Sequence, residues 1–468
     1  MKREKLKEAL NEISDQHIKE AAEKKRRPWW IGTVAAALAL ALFIFAISQP
    51  MVIRAKAVSL PSDPRIMDRP DLDDYEDRSL WQQDLDRWNA QREARSNSSS
   101  VALESLTPFF TAGSAQFLTG SQENMLWSPA NAYIGLAMLT ELTAGNSQQQ
   151  LLSLLGSKDL DTLRNQVSAL WETVYMDNGN EICTLANSLW LEDSLNYQTD
   201  TLKNLSYYHY ASIYEGNLGT KKIDKAIGAW LNNNTGGLLK SATDTIQLDP
   251  QTVLALYSTL YFQSKWMDEF NASNNAAGTF HALSGDKDVT FMNRKLAMMN
   301  YYWGDTFGAV SLTLKNGSQM WFILPDEGLT TQDVLNDGQY MDMLLANRDW
   351  ENTKFMKVNL SVPKFDVSAA QDLREGLEAL GVRDIFSLEN ADFTAITGDV
   401  SVFITAANQA LRVQVDEQGV KAAVYIEFPG ATSPAPPDEI IDFVLDRPFL
   451  FAITNDRVPL IAGVVNAP

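Results

Sequence analysis

Residues 415–437 read VDEQGVKAAVYIEFPGATSPAPP, and from Val420 onward the side chains alternate in character. Val420, Ala422, Val424, Ile426, Phe428 and Gly430 fall on one face of an extended chain; Lys421, Ala423, Tyr425, Glu427, Pro429 and Ala431 fall on the other. A strand that enters a sheet with one face on the core needs this period of two. An ordinary edge strand shows the same alternation, but the glycine immediately in front, Gly419, favours a mobile loop. At about 3.3 Å per residue, fourteen such residues reach on the order of 46 Å, the length of a domain.

Working outward, the flanking chain mixes helices and strands. Met356 to Phe365 alternates as a strand, and Asp372 to Leu380 reads as a helix closed by Gly381. Val253 to Phe262 and Gln319 to Leu324 are apolar and aromatic, as central strands are, and Pro325-Asp-Glu-Gly328 ends the second. Asn131 to Leu142 sets Ile134, Leu136, Met138, Leu139 and Leu142 largely on one side of a helix that starts just after Ser128-Pro129. No βαβ rhythm and no fixed-period repeat appear, so the class is α+β, in one domain over residues 101–468.

Several of these segments, in order, resemble the serpin family. Asn124-Met-Leu-Trp-Ser-Pro129 is similar to the family's NxxxSPxS start, and Ala186-Asn-Ser-Leu-Trp-Leu191 to its short AN-LW strand. Ile223-Asp224 to Trp230 with Thr235 and Gly237, then Leu256 to Phe262 with Lys265-Trp266 and Phe270, continue the likeness. Phe322 to Gly328, Val362-Pro-Lys-Phe365, Leu380 to Phe386, Val415 to Gly419 and Asp446-Arg-Pro-Phe-Leu-Phe451 complete it. The resemblance implies three β-sheets, eight to nine helices and an exposed reactive-centre loop that inserts into the large sheet as an extra central strand.

It also implies site residues. Glu417, Gly419, Val420, Ala422 and Ala423 match the loop hinge. With Gly419 as the fifteenth residue before the scissile bond, the scissile carbonyl falls at Ser433 with Pro434 beyond; because most serine proteases accept proline poorly there, Thr432–Ser433 is an equal candidate. Small uncharged residues at that point suggest an elastase-like or subtilisin-like target. Ser128, Asn131, Ser258 and Gln409 match the polar cluster that holds the sheet's gap closed, with Asn and Ser exchanged and Gln in place of the family's His. Trp266 matches the aromatic at the top of the gap. Lys421, Val424 and Tyr425 depart from the small residues that usually follow the hinge, and Pro429 cannot donate to a ladder.

The amino-terminal quarter has its own organisation. Residues 1–28 hold nine basic and six acidic side chains, a basic tail ending in Lys24-Lys25-Arg26-Arg27. Trp29 to Ile47 is uncharged and spans about 28 Å as a helix. Residues 29–48 thus read as a transmembrane signal anchor, with the tail cytoplasmic by the positive-inside rule and the rest extracytoplasmic. Ala55-Lys56-Ala57 keeps open a secreted form cleaved near Ala57. Residues 49–100, rich in Asp, Arg, Pro and Ser, read as a stalk with a short helix near Leu80 to Arg95.

Composition excludes other functions. A formal net charge of -20 over 468 residues repels nucleic acid. The single cysteine, Cys183, forbids an intrachain disulfide and reads as a small buried side chain. Only His17, His209 and His281 occur, with no HExxH, GxSxG or GxGxxG pattern, so hydrolase, zinc and dinucleotide chemistry have no motif. The expectation is a monomeric, membrane-tethered serine protease inhibitor that needs no cofactor or metal. The alternative is a non-inhibitory binding or scaffold protein of the same fold, cleaved as a simple substrate.

Overall fold

The computed structural model describes residues 55–61, 77–177, 181–398, 400–420 and 439–468. In chain order come β1 (Lys56–Ser59), α1 (Arg78–Phe117), β2 (Met125–Trp127), α2 (Pro129–Leu142), α3 (Gly145–Leu154), α4 (Leu160–Val174), β3 (Met176–Asp177) and β4 (Ile182–Glu192). Then follow α5 (Thr199–Tyr208), β5 (Ala211–Gly216), α6 (Lys221–Asn234), α7 (Lys240–Thr243) and β6 (Leu254–Lys265). A meander runs through β7 (Ala276–Ala282), β8 (Gly285–Trp303), β9 (Phe307–Thr313) and β10 (Gln319–Pro325). Next are α8 (Thr331–Asp337), α9 (Gln339–Ala346), β11 (Thr353–Pro363), β12 (Phe365–Asp372), α10 (Arg374–Ala379), β13 (Asn408–Val415) and β14 (Gly419–Val420). The chain ends with β15 (Ile440–Val444), β16 (Phe449–Asn455) and β17 (Val458–Val465).

Three sheets result among the described residues. One has the order β1-β5-β4-β6-β14 with β3 on β4; the second runs β15-β11-β8-β9-β10-β16-β17-β2 with β7 on β8; the third is the pair β12-β13. No backbone ladder joins β6 to β13. That division places a cleft, rather than a continuous large sheet, between the two halves.

The core explains the arrangement. Every residue of α2 except Gly135 is buried, because the helix is apolar almost all round and lies beneath both β6 and β17. Its start is set by the Ser128 side chain, which accepts from the Asn131 amide, and by proline in the first turn, where the missing N–H costs nothing. On the core side of the first sheet, Leu256 and Leu260 of β6 pack with this helix's cluster, while Tyr257 joins a second cluster built on Trp190, Ile227 and Trp230 under α6. Alternate residues of β6 therefore serve two different cores.

The amino-terminal quarter departs from the expected linker. Within residues 49–100, β1 pairs with β5, and α1 begins at Arg78 and continues unbroken past residue 100 to Phe117. Asp77 caps that helix on the Ser79 amide, and the half-buried Trp81, Leu85 and Trp88 recur at spacings of four and three. The short helix expected near Leu80 to Arg95 is thus the first part of a 40-residue one. Ten α-helices stand among the described residues where eight or nine were expected; one-turn segments such as α7 raise the number. The tail at 1–28 and the span expected at 29–48 lie outside the described residues. Among the described residues no helix is long and apolar enough to cross a membrane.

Candidate functional site

The site is the cleft between β6 and β13 together with the turn that closes it at one end. β13 ends at Val415, and the chain folds back through Asp416 to Gln418 into β14. Asp416 makes the turn: its carboxylate accepts from the amides of Gln418 at 2.8 Å and Gly419 at 3.3 Å, and its own amide donates to the Gly419 carbonyl at 3.2 Å. Gly419 has φ +149°, and a Cβ there would lie 2.4 Å from the Lys265 Cα and 2.6 Å from the Ser264 carbonyl. Only glycine lets the two backbones come this close. Gly419 then pairs with Lys265 and Val420 with Ser264, antiparallel.

Two groups tie this turn to β6. The Trp266 indole N–H donates to the Asp416 carbonyl at 2.8 Å, and the Trp266 amide to the Gln418 carbonyl at 3.1 Å. Trp266 is fully buried, edge-on to Phe270 with ring centroids 5.9 Å apart. Glu417 is held from the other side. Its carboxylate receives Lys364 at 2.5 Å and the Asn275 side-chain amide at 2.5 Å. Burial works to raise its pKa, but the bonds from Lys364 and Asn275 prevail and the carboxyl titrates below its ordinary value. Beside the first rung, Glu181 hydrogen-bonds the Ser264 hydroxyl, and burial pushes that carboxyl up.

Midway along the cleft a polar cluster spans the gap. Gln409 of β13 accepts from the Ser128 amide at 3.0 Å and returns its NH₂ to the Ser128 carbonyl at 3.2 Å. Asn131 donates to the Ser258 hydroxyl of β6 at 2.7 Å and lies 3.5 Å from the Gln409 amide nitrogen. Ser128 Oγ donates to the Leu460 carbonyl of β17 at 2.6 Å. Here the first turn of α2 links the two halves that no ladder joins. Ser128, Asn131 and Gln409 are buried, so each bond replaces water that cannot enter.

Of the residues singled out by sequence, Ser128, Asn131, Ser258 and Gln409 meet in one cluster, and Glu417, Gly419 and Trp266 meet in the turn. The backbone of Val420 is in β14; Ala422, Ala423, Thr432, Ser433 and Pro434 lie outside the described residues. Lys364 and Asn275 were not anticipated as partners. Lys364 stands inside a recognised motif, so its position gave a signal; Asn275, on the loop before β7, gave none. Neither imidazole of the described chain pairs with a hydroxyl: His209 is buried against Glu141 at 3.2 Å, itself gripped by Arg164 at 2.7 Å, and His281 pairs with Asp286 at 2.8 Å. Cys183 is buried.

Comparison with known proteins agrees with this geometry. The family model described as Serpin (serine protease inhibitor) matches residues 110–468. Serpin-ZX of Arabidopsis thaliana is 25% identical over 389 residues, 78% of this chain and 96% of its own. The human leukocyte elastase inhibitor is 26% identical over 341 residues, 71% of this chain and 89% of its own. Among solved structures, the native state of the thermophilic serpin tengpin superposes with a TM-score of 0.68 at 23% identity, over 78% of this chain and 94% of tengpin. The native stressed conformation of Arabidopsis AtSerpin1 gives 0.68 at 24% identity, over 78% and 98%.

Proposed function

Since this chain belongs to the serpin family, whose relatives include serine protease inhibitors, we propose that it inhibits a serine protease by loop cleavage and insertion. The two rungs between β14 and β6 carry the reading. Continued without a bulge in an inserted strand, their register would set Ala422 against Phe262, Val424 against Leu260, Ile426 against Ser258, Phe428 against Leu256 and Gly430 against Leu254, the first residue of β6. Residues directly opposite in an antiparallel pair share a face. The apolar set therefore falls on the side where Leu256 and Leu260 meet the main core, and Lys421, Tyr425 and Glu427 fall on the other.

The chemistry is the protease's own. Its serine oxygen attacks the carbonyl of Ser433 or Thr432; the serine proton passes through the protease's base to the departing amine; the peptide bond gives way to an acyl ester. Hydrolysis of that ester frees the protease, so inhibition requires insertion to be faster. Burying the apolar set at roughly 1.5–3 kcal/mol per medium or large side chain supplies the drive. In the extended register Pro429 stands opposite Ala255, one residue from the end of β6, so its missing N–H affects only the last rungs. The apolar run at 29–48 supports tethering to a membrane, with the elastase-like or subtilisin-like specificity read from Thr432 and Ser433.

The test is to mix the full chain with elastase and with subtilisin and run denaturing gels with intact-mass analysis. Truncation at residue 101 would cut α1 and is to be avoided. An SDS-stable adduct with its new end at Thr432 or Ser433 is the expected result. Clean cleavage without an adduct would favour the non-inhibitory reading, to which Lys421, Tyr425 and Pro429 lend support.

A further inference from the structure

The strand β5 (Ala211–Gly216) pairs with β4 in unbroken parallel register over all six of its residues, and Ile213 and Tyr214 are buried. It contains no lysine and no proline. A straight edge of that kind is a template for a strand supplied by another chain. Here four residues that precede the family match, Lys56–Ser59, occupy it as β1. β1 carries the protections that β5 lacks. It is short, it opens on an exposed lysine, Val58 is the extra residue of a bulge between Ala57 and Ser59, and Pro61 follows two residues on. The outer edge of the sheet has thus been moved from an unprotected strand to a protected one.

What holds β1 in place is modest. Lys56 pairs with Glu215, Ala57 with Tyr214 and Ser59 with Ile213. Lys56 Nζ lies 2.7 Å from the Glu215 carboxylate, and Ser206 Oγ of α5 stands 2.7 Å from Ser59 Oγ. An ion pair this exposed adds little, and no residue of β1 is buried, so the strand detaches without uncovering a core of its own. Its place keeps it clear of the Gly419 turn. Glu215 pairs with Leu191 and Leu191 with Leu254, so Lys56 stands level with the first residue of β6, whereas Gly419 pairs with Lys265 at the last.

We propose that β5 is a strand-accepting edge closed in cis by β1, and that its competing occupant is β5 of a second copy of this chain. The sequence suits self-pairing. A two-fold axis perpendicular to the sheet preserves the two faces, so an antiparallel pair of identical strands must be centred on a residue rather than between two. Centred on Ile213, the pair sets Ile213 against Ile213 of the copy, Ser212 against Tyr214 of the copy and Ala211 against Glu215 of the copy. Apolar meets apolar at the middle, and the strand's one carboxylate never meets its like. The product is an isologous dimer in which two sheets run on as one; β1 keeps the chain monomeric by filling the edge first.

The test compares the full chain with Ala57→Pro/Val58→Pro, which removes donors from β1, in the same detergent micelles by light scattering. The unsubstituted chain is expected to be monomeric and the variant dimeric. An excess of a synthetic peptide of residues 55–61 should return the variant to the monomer, because it refills the edge. Lys56→Glu leaves every backbone donor in place and guards against misfolding of the proline variant; it should raise the dimer fraction at least threefold at equal concentration. A folded proline variant that stays monomeric overturns the proposal, as does association that the peptide fails to reverse. An unsubstituted chain that is already dimeric, or whose amides at 57–59 exchange as fast as those of a free peptide, overturns it as well.

Discussion

Gly419 is the residue on which the turn into β14 depends most directly. Alanine there would place a methyl group inside contact distance of three backbone atoms of β6, so the turn would have to leave the strand. Gly419→Ala is expected to lower stability by about 1–3 kcal/mol and to divert turnover from adduct to cleaved product, as read from the stoichiometry of inhibition. Glu417 makes a different prediction, through pH. Its folded pKa is depressed, so its contribution is present above the ordinary carboxylate value and is lost as pH falls through the lower folded value. Glu417→Gln should cost about 1–2 kcal/mol at neutral pH, and the gap in melting temperature between it and the unsubstituted protein should narrow as the pH is taken toward 3.

At the scale of elements, the cleft between β6 and β13 is closed by side chains rather than by a ladder. Asn131→Ala removes the bond to Ser258 and weakens the bridge to Gln409, so the cleft should open more readily. Heat-induced loss of inhibitory activity, followed by residual adduct formation after timed incubation, should then be several-fold faster. The extended register makes Ile426 the residue that would arrive at Ser258. Ile426→Asp should leave cleavage intact and abolish trapping, whereas Tyr425→Ser, on the opposite face, should retain it.

How much of this was legible follows from the kind of signal each part carries. The α2 cap, the alternation after Gly419 and the four cluster residues are local patterns or ordered motifs, and the sequence displays both. The Lys364–Glu417–Asn275 contact joins residues from three distant segments through side-chain length alone, which no spacing reveals. β1 is four residues of mixed polarity on a sheet edge, where burial imposes no strict pattern. The first half of α1 did carry a stripe, Trp81, Leu85 and Trp88, but the Asp- and Arg-rich chain around it reads as a linker.

For the whole molecule, the strand β6 and the stretch from Gly419 to Gly430 are each twelve residues long. A captured enzyme would thus travel about 40 Å, from the end of the sheet that carries Trp266 to the end that carries Lys56. The start of that path is pinned by the Asp416 turn, which makes the sheet both a ruler and a parity check. Deleting one residue between Lys421 and Phe428 exchanges the two faces and delivers Tyr425 or Glu427 to the core; deleting two restores the facing and shortens the haul by about 7 Å. Capture should therefore fail for the odd deletion and persist, with faster release of the enzyme, for the even one.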